Sequence, residues 1–546
     1  LQRHPFKTSF FFTLPRYYKS EMGNGLEELE LKPVVEPVPE RLTVDAMLQK
    51  YCGEFGPWQL KNFFLSNLSC TLEAFHTMVM IFADRDVAWR CLDHSGCDAA
   101  EKDVCRLEPG SWEWVGGRGS STVVEWGLVC GNKYKVGLAQ AIFFVGCTLG
   151  AGIFGHLSDS SFGRKRSLIL VCILNTIFGC LTALSPSYWI YVLLRLLTGV
   201  STAGNALCAF VLSTEPIGPT RRCTAAMSTC YFFSGGIALL SGIAYIFQSW
   251  RKLYIVSSIP SLFYLILVVP FLSESPRWFL VRGKFDKAMK ALTIIANTNK
   301  KHIPEGVVLS LDTKNSQTNN NSNNNKSIID IMRSPTTRMR LIIGVGVNFM
   351  NAVVYYGLSL NVVNLKTNLY VNVLLNAVVE MPAFAVTAAL LGKMGRRGVG
   401  IWTLWFSGVF CLMGSMIKSN SEGKWRVLKV ACGLLGLSGM AGNYNLLGLY
   451  VAELFPTVVR NVALGCASQA TQMGAILAPF VVVMGGRWPF LVFGVCGIVG
   501  GMLVFFLPET LNRPFYDTLA GLEDGENTNI ASAPSNNVVR VSSSNV

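Results

Sequence analysis

Residues 136–166 read VGLAQAIFFVGCTLGAGIFGHLSDSSFGRKR, and they show most clearly which class of fold the chain adopts. Its first 19 residues, 136–154, contain no charged side chain. One helix needs roughly 20 apolar residues to cross a bilayer core about 30 Å thick. The run then ends at one acidic residue and three consecutive basic residues, Arg164, Lys165 and Arg166. The pattern predicts a helix that crosses a membrane and ends in a charged hairpin.

The composition of the whole chain also indicates a membrane protein. Of 546 residues, 51% are hydrophobic and 15% are charged, whereas soluble domains average about 25% charged residues. The net charge is +14. In a soluble protein that charge would favour a nucleic-acid partner, but in a membrane protein basic residues collect in cytosolic loops. We therefore expect the lipid bilayer as a partner and no nucleic acid.

Twelve segments are predicted to span the membrane. They are 60–83, 134–157, 166–184, 187–213, 224–248, 252–272, 341–363, 368–391, 399–417, 427–451, 461–484 and 487–507. Two groups of six spans predict an all-α membrane protein of two six-helix halves. The expected organisation is an N-terminal segment 1–59, a first half 60–272, a linker 273–340, a second half 341–507 and a tail 508–546. Met22 is suited to be the start, so residues 1–21 are expected to lie outside the native fold.

The charges of the loops predict the orientation. Linker 273–340 carries twelve basic and five acidic residues, whereas segment 84–132 carries nine acidic and five basic residues. Basic loops stay in the cytosol, so the linker and both termini are expected there, with segment 84–132 on the opposite side. The loop KSNSEGKWR (418–426) goes against this pattern. The plasma membrane and the vacuolar membrane both fit.

Segment 84–132 is expected to be held together by disulfides. It contains four cysteines: Cys91, Cys97, Cys105 and Cys130. Cysteines in an oxidising compartment favour disulfides, so two are predicted; three pairings are open, and free thiols are the alternative. The spacing lacks a CxxC pair and predicts no zinc site. In the linker, the polar tract NSQTNNNSNNN (315–325) predicts a flexible tether, and residues 285–296 have the apolar spacing of an amphipathic helix.

The hairpin GHLSDSSFGRKRSL (155–168) is predicted to act as a gate. Gly155 and Gly163 permit close approach and a tight turn. Asp159 can pair with Arg164, and Lys165 helps to hold the hairpin in the cytosol. Such a latch would break when the two halves move apart, whereas a turn that only fixes the topology is the alternative.

Two sets of motifs carry a resemblance. The hairpin resembles the signature loop of the major facilitator superfamily, G-x-L-x-D-x-x-G-R-K, with one extra residue between Asp159 and Gly163. LLGKMGRRG (390–398) repeats the pattern of this hairpin, with Gly392 at the position of Asp159. The basic residues of the second hairpin are therefore expected to lack an acidic partner. From about residue 45 to 520 the chain resembles the organic cation/carnitine transporters, particularly the plant members. The stretches that carry this are STVVEWGLVC (121–130), LLRLLTGVSTAG (193–204), AYIFQSW (244–250), SESPRWFLVRGK (273–284), VYYGLSLNV (354–362), VEMPAF (379–384), YVAELFPTVVRN (450–461) and FLPETLNRP (506–514).

The resemblance implies a secondary transporter of organic cations or zwitterions, such as carnitine or polyamines, that works by alternating access. A proton or a sodium ion is the expected coupling partner. A sugar or organic-anion porter is the alternative in the same superfamily, and a non-transporting membrane sensor is the alternative of a different class. The chain contains no P-loop and no metal-ligand cluster, so we expect no enzyme activity, no cofactor and no metal.

Ionisable and aromatic residues inside spans are the substrate-binding candidates, because charges are costly in a bilayer and ring faces attract ammonium groups. Glu380 is the first choice, with a structural ion pair as its alternative role. The resemblance adds Tyr355 and Tyr356, and Phe233 and Tyr444 are further aromatic candidates. Gln472 stands near the place where, by the resemblance, animal cation carriers have an Asp.

Further residues are candidates for gating and coupling. Arg195 is expected to form a gating or structural ion pair, and Glu215, Glu453 and Arg460 complete the gating set. Glu73 and His76 lie three residues apart and would share a helix face. They are a candidate proton-sensitive pair, with ordinary structural roles as the alternative.

Overall fold

The computed structural model describes residues 40–92, 104–107, 111–304, 306–310, 328–365, 367–417, 423–511 and 522. Its helices are α1 (Val44–Met47), α2 (Pro57–Ala83), α3 (Thr122–Trp126), α4 (Tyr134–Asp159), α5 (Arg164–Ala183), α6 (Tyr188–Thr214), α7 (Pro219–Ile246), α8 (Trp250–Leu267), α9 (Pro276–Val281), α10 (Phe285–Thr298), α11 (Ile328–Arg333), α12 (Pro335–Leu360), α13 (Leu369–Met416), α14 (Lys424–Leu454), α15 (Thr457–Val483) and α16 (Trp488–Phe505). The strands are β1 (Glu40–Leu42), β2 (Trp89–Cys91), β3 (Trp112–Trp114) and β4 (Val307–Leu309).

The long helices make the two predicted halves. Within the described residues, nine helices are long and apolar enough to cross a membrane. Helix α13 counts once among them although Gly395, at φ 76°, divides it into two helices. The divided α13 supplies two helices, and α2 and α14 add two more. The bundle therefore has the twelve long helices of the predicted fold. The first half contains α2 and α4–α8, and the second contains α12–α16.

Proline and small residues explain where these helices begin and how closely they pack. Prolines begin α2, α7 and α12, because a proline at the first helical position loses no helical hydrogen bond. Helices α4 and α6 approach closely at Gly150 and Gly199, where any added Cβ would overlap Val200 or Phe143 of the other helix. Small residues at such crossings are typical of helices that pack in a membrane.

We call the end of the bundle that carries residues 84–92 and 111–133 the outer end, and the end that carries Gly163 and Gly395 the hairpin end. At the outer end, β2 pairs with β3 in antiparallel register, with Trp89 opposite Trp114. A disulfide joins Cys105 and Cys130. Cys91 is also disulfide-bonded, whereas Cys97 lies outside the described residues.

A small satellite domain lies at the hairpin end. Strand β1 pairs in parallel with β4, so that the segment before α2 is joined to the linker. Its core is formed mainly by α1, the π-helical turn 48–52 and α10, whose buried side chains include Met47, Leu48 and Leu292. Helix α10 extends to residue 298, which confirms the amphipathic helix predicted for 285–296. The predicted tether 315–325 lies outside the described residues.

Candidate functional site

A cavity of about 140 Å³ lies between the two halves. Helices α2 and α7 of the first half and α12, α13 and α14 of the second half supply its walls. The lining residues are Cys70, Glu73, Thr229, Cys230, Phe233, Tyr355, Tyr356, Phe384, Ala441, Tyr444 and Asn445. The structure thus brings together four of the predicted binding residues: Phe233, Tyr355, Tyr356 and Tyr444. The cavity is the candidate substrate site because both halves contribute to it.

Three tyrosines form an aromatic wall on one side of this cavity. The ring centroids of Tyr355 and Tyr356 are 5.3 Å apart, and those of Tyr355 and Tyr444 are 5.2 Å apart. Phe144 of α4 packs against Tyr356 from the first half, with 4.9 Å between the ring centroids. Ring faces attract a desolvated cation, each by about 0.5–2 kcal/mol. The wall therefore suits an ammonium or quaternary ammonium group.

Glu380 lies behind the cavity wall, near the middle of the first part of α13, and is fully buried. The hydroxyl of Ser234, on α7, donates a hydrogen bond to its Oε2 at 2.5 Å, and Tyr355 lies beside the carboxylate. The Oε1 atom has no hydrogen bond of ordinary geometry within the described residues. The alternative structural ion pair with an Arg or Lys is not present in the described part of the chain.

Glu73 reaches the same cavity from α2, but His76 does not join it there. His76 is fully buried, and neither of its ring nitrogens has a hydrogen-bond partner in the described ranges. Its backbone oxygen accepts a hydrogen bond of 3.1 Å from Arg195. The residues share a helix, yet Glu73 faces the cavity while His76 faces the interior of the first half. The structure therefore does not form the pair that their spacing predicted.

Arg195 belongs to the interior of the first half and not to the hairpin. Its side chain is fully buried, and its guanidinium carbon lies 4.2 Å from the ring centroid of Phe143 and 5.5 Å from that of Tyr254. No ion pair of Arg195 within 4 Å is found among the described residues, where its side chain contacts the two rings and the His76 carbonyl. Its charge also acts on the buried carboxylate of Asp84. Gln472 lies on α15, half-buried and outside the cavity lining.

The first hairpin contains the predicted ion pair, but its partners within the described residues all belong to the first half. Arg164 pairs with Asp159 at 3.1 Å and with Glu215 at 3.2 Å. The Asp159 side chain is 74% exposed and that of Glu215 only 19%, so Glu215 is the better shielded partner. The extra residue before Gly163 does not separate Asp159 from Arg164. Gly155 lies within α4 and not in the turn, whereas Gly163 has φ 91° and makes the turn.

Glu274 binds the N-terminus of α5. This residue was not among the predicted site residues. Its carboxylate accepts hydrogen bonds from the backbone N–H groups of Arg164 at 3.2 Å and Lys165 at 3.1 Å. Lys165 in turn donates from Nζ to the Leu272 carbonyl at 2.7 Å. Burial raises the pKa of Glu274 above its ordinary value more than these N–H groups lower it. The carboxylate thus ties the hairpin to the segment after α8.

The second hairpin repeats this arrangement. The prediction that it would lack an acidic partner was wrong, since Arg396 pairs with Glu453 at 2.9 Å. Glu509 accepts backbone hydrogen bonds from Arg396 at 2.9 Å and Arg397 at 3.0 Å. Burial alone would raise the pKa of Glu509, but four backbone N–H groups together lower it. The acids come from α14 and from the segment after α16, so the loss of an acid at Gly392 does not remove the ion pair.

Arg460 lies on the first turn of α15, at the same end as Glu453, and is half-buried. The structure thus places four predicted gating residues in the two ion-pair clusters: Asp159, Arg164, Glu215 and Glu453.

The two halves also touch at the outer end. Arg85, just after α2, donates hydrogen bonds to the hydroxyl of Tyr370 on α13 and, at 3.0 Å, to the Gln248 carbonyl. The ring of Tyr370 stacks on Phe82 with 5.6 Å between centroids, and Ser241 of α7 donates to the Tyr370 carbonyl at 2.6 Å. Tyr370 is therefore a contact of the second half with two helices of the first.

Several residues at these sites carry no sequence signal strong enough to select them. Ser234, Thr229 and Asn445 are ordinary polar residues within apolar spans, and only the tertiary structure aligns them with the cavity. Glu274 and Glu509 had a signal, because each follows the last long helix of its half within a motif of the resemblance.

Comparisons with known proteins give a consistent result. Residues 91–520 match the family described as "Sugar (and other) transporter". The chain is 61% identical to an organic cation/carnitine transporter, number 4, of Arabidopsis thaliana, over 92% of this chain and 96% of that protein. It is 31% identical to an organic cation transporter protein of Drosophila melanogaster, over 89% and 95% of the two chains.

Solved structures agree on the fold. The xylose transporter XylE from E. coli, in a partially occluded inward-open conformation, aligns with a TM-score of 0.60 at 16% identity. The alignment covers 84% of this chain and all of that chain. At this identity the likeness shows the fold alone.

Proposed function

We propose the following function for a chain that belongs to the sugar (and other) transporter family and, within it, to the organic cation/carnitine transporters: it moves organic cations or zwitterions across a membrane by alternating access. The chain is an integral, multi-pass membrane protein with the major facilitator fold, and it is a transporter and not an enzyme. Its substrate is a small molecule; the substrate class, the coupling ion and the mechanism are the proposal.

The observation that supports the proposal is the position of Glu380 next to the aromatic wall. A carboxylate without an ion-pair partner in the described residues lies next to Tyr355, whose ring belongs to that wall. No Lys, Arg or His lines the cavity in the part of the chain that the structure describes. A buried, ionised carboxylate is stabilised by an adjacent positive charge, and a cationic substrate supplies it. The same lining offers no positive group to an organic anion.

Alternating access requires contacts that form and break at both ends of the bundle. The ion pairs of Arg164 and Arg396 lie at the hairpin end, and the Arg85–Tyr370 contact lies at the outer end. Each of the two ion pairs lies within one half, so we assign them to the shape of the hairpins on the cytosolic side. We assign the Arg85–Tyr370 contact, which joins the two halves, to a gate on the opposite side. Both termini are then cytosolic, in a plasma or vacuolar membrane, and the coupling ion is a proton or a sodium ion.

The test is uptake into proteoliposomes, with and without an imposed pH gradient. Radiolabelled carnitine and a diamine probe the proposed class, and a hexose and urate probe the sugar and anion alternatives. We expect saturable uptake of a cation or zwitterion that is lost in Glu380→Gln. Asp286→Asn is the matched control, because Asp286 is an exposed carboxylate on α10, far from the cavity.

Uptake of hexose or urate alone would overturn the substrate class. Binding of a ligand without flux would favour the sensor. Uptake unchanged in Glu380→Gln would remove Glu380 from the site while leaving a transporter.

A further inference from the structure

The satellite domain presents a basic surface with exposed apolar residues beside it. Segment 276–304, which contains α9 and α10, carries seven basic residues and one acidic residue. On α10, Lys287, Lys290 and Ile294 follow one another at intervals of three and four residues, which places them on one side of the helix. All three are exposed, and Ile294 is 48% exposed although it is apolar. Leu292, which packs into the satellite core, points to the other side.

The two lysines of α10 have no acidic partner within the described residues. The ion pairs described for the satellite domain join Asp45 of α1 to Arg222 of α7 and to Arg277 of α9. The acidic residue of α10, Asp286, forms no ion pair with either lysine. The charge of this surface is therefore not balanced by the part of the protein that the structure describes.

Contacts with the first hairpin place the start of α10 at the depth of the lipid headgroups. Arg282 donates a hydrogen bond to the backbone carbonyl of Asp159, the last residue of α4. The indole N–H of Trp278 donates to the Ser160 carbonyl at 3.1 Å. Asp159 lies five residues, or about 7.5 Å of helix rise, beyond the uncharged run 136–154. The headgroup layer on each side of the hydrocarbon core is about 5–8 Å deep, so Arg282 is held at that layer.

The residues next to Arg282 suit this depth. Val281 is 71% exposed and Phe285 is 45% exposed, although both are apolar. Between them, the exposed Lys284 has its Nζ atom 5.0 Å from the ring centroid of Trp278. Exposed apolar side chains with lysines beside them are typical of helices that lie on a membrane surface, where the apolar groups reach the acyl chains and the lysines reach the headgroups.

We propose that anionic phospholipids bind one surface of the satellite domain, which we call the lipid surface and which consists of Val281, Lys284, Phe285, Lys287, Lys290 and Ile294. The lipid headgroups supply the negative charges that the protein does not provide. The proposed orientation places this surface at the cytosolic leaflet, which carries the anionic lipids. Since Arg282 also holds the end of α4, the bound lipids attach the first hairpin to that leaflet. The inference goes beyond the proposed function, because it concerns a lipid partner and not the transported substrate.

The test measures lipid binding directly and does not depend on transport. Native mass spectrometry of the full-length protein in detergent gives its apparent affinities for phosphatidylserine and for phosphatidylcholine. We expect the wild type to bind phosphatidylserine more tightly. The double variant Lys287→Gln/Lys290→Gln should bind it about tenfold or more weakly, because each lysine near an anionic surface contributes about a factor of five. The affinity for phosphatidylcholine should stay the same.

Two further double variants serve as controls. Lys287→Arg/Lys290→Arg keeps both charges and should retain the preference for phosphatidylserine. Lys252→Gln/Lys424→Gln removes two exposed lysines at the outer end and should leave both affinities unchanged. Hydrogen exchange in nanodiscs locates the contact. The backbone amides of residues 281–294 should exchange more slowly when phosphatidylserine is added to phosphatidylcholine.

Three results would overturn the proposal. One is equal affinity for phosphatidylserine in the wild type and in Lys287→Gln/Lys290→Gln. Another is an equal loss in Lys252→Gln/Lys424→Gln, because binding would then follow the total charge of the protein. The third is slower exchange of residues 281–294 with soluble polyglutamate but not with phosphatidylserine, which would assign the surface to an acidic protein partner. The uptake assay tests the proposed function separately, so either conclusion can fail without the other.

Discussion

Glu274 and Glu509 hold equivalent positions in the two halves. Glu274 accepts hydrogen bonds from two consecutive backbone N–H groups, those of Arg164 and Lys165. Glu509 accepts the corresponding bonds from Arg396 and Arg397. Each carboxylate fastens the N-terminus of a helix that follows a glycine of positive φ, where the helix dipole favours an anion. The repeat thus extends beyond the hairpins to the segment that follows each half's last long helix.

The two carboxylates should give opposite pH dependences. The pKa of Glu509 is lowered below its ordinary value of 4.5, so its stabilisation is present above pH 4.5 and is lost as pH falls through the folded-state pKa. The pKa of Glu274 is raised, so stability falls as pH rises from 4.5 through its folded-state pKa. We expect Glu509→Gln to lower the free energy of unfolding by about 1–3 kcal/mol near neutral pH. The variant should also lack the decrease in stability that the wild type shows as the pH falls below 4.5. Glu274→Gln should lack the decrease in stability that Glu274 causes in the wild type as the pH rises above 4.5.

These trends can be measured by thermal unfolding of the purified protein in detergent, from acidic to neutral pH. Asp286→Asn serves as the control for loss of one exposed carboxylate. Parallel pH profiles for the wild type and Glu509→Gln would contradict the assignment of the lowered pKa to the hairpin contacts.

The glycine of the second hairpin should not tolerate a side chain. Gly395 has φ 76°, and a Cβ there would overlap the Glu509 carboxylate. A non-glycine residue in such a conformation is strained by about 1–3 kcal/mol. Gly395→Ala should therefore lower the free energy of unfolding by at least this amount, measured by thermal unfolding. Gly163→Ala should behave alike, because φ is 91° and Glu274 Oε2 would lie 2.7 Å from the added Cβ.

Gly392→Ala is the matched control in the same hairpin. An added Cβ at Gly392 meets nothing within 4 Å, and the residue lies in α13. Alanine has the better helix propensity by about 1 kcal/mol, so this variant should be neutral or slightly more stable. Equal losses for Gly392→Ala and Gly395→Ala would show that the hairpin conformation is not the cause.

The two acids around Arg164 should contribute unequally. The exposed Asp159 should contribute little, since exposed ion pairs are worth about 0–1 kcal/mol. Glu215 is better shielded, and its loss would leave the half-buried Arg164 without that partner. We expect Asp159→Asn to leave the melting temperature nearly unchanged and Glu215→Gln to cost about 1–3 kcal/mol. A double-mutant cycle with Arg164→Gln measures both pair energies, and a larger coupling for Asp159 would reverse the assignment.

Removing the hydroxyl of Tyr370 should loosen the outer end. Tyr370→Phe loses the hydrogen bond from Arg85, yet it keeps the ring that stacks on Phe82 and the carbonyl that accepts from Ser241. We expect the cavity thiol Cys230 to react faster with an impermeant maleimide added from the outer side. Reaction at Cys230 is identified by its loss in a Cys230→Ser background.

Tyr245→Phe is the control for this experiment. Tyr245 is exposed, and its ring packs edge-on against Tyr370 with 5.6 Å between centroids. Its substitution removes a hydroxyl of the same kind without touching the Arg85 contact. The same rate of modification in Tyr370→Phe and in the wild type would argue against an outer gate at this contact.

The class of fold follows from the hydropathy of the sequence, and the ionisable residues inside its apolar runs are the candidates for the site. Long uncharged runs such as 136–154 have only one environment in which they are stable, so hydropathy predicted the helices and the two halves. Because an ionisable residue inside such a run is costly, Glu380 could be selected without a structure. The signal was local in both cases, since it depended on neighbours along the chain.

Which of these residues come into contact depends on how the helices pack. Glu73 and His76 are close in sequence, but helix packing directs Glu73 into the cavity and His76 into the first half. The second hairpin has no acid at Gly392, yet Arg396 pairs with Glu453 and its backbone N–H donates to Glu509, two acids that are distant along the chain and adjacent in space. Burial and the charge balance of a cavity depend on several helices at once, and no pattern along one helix encodes them.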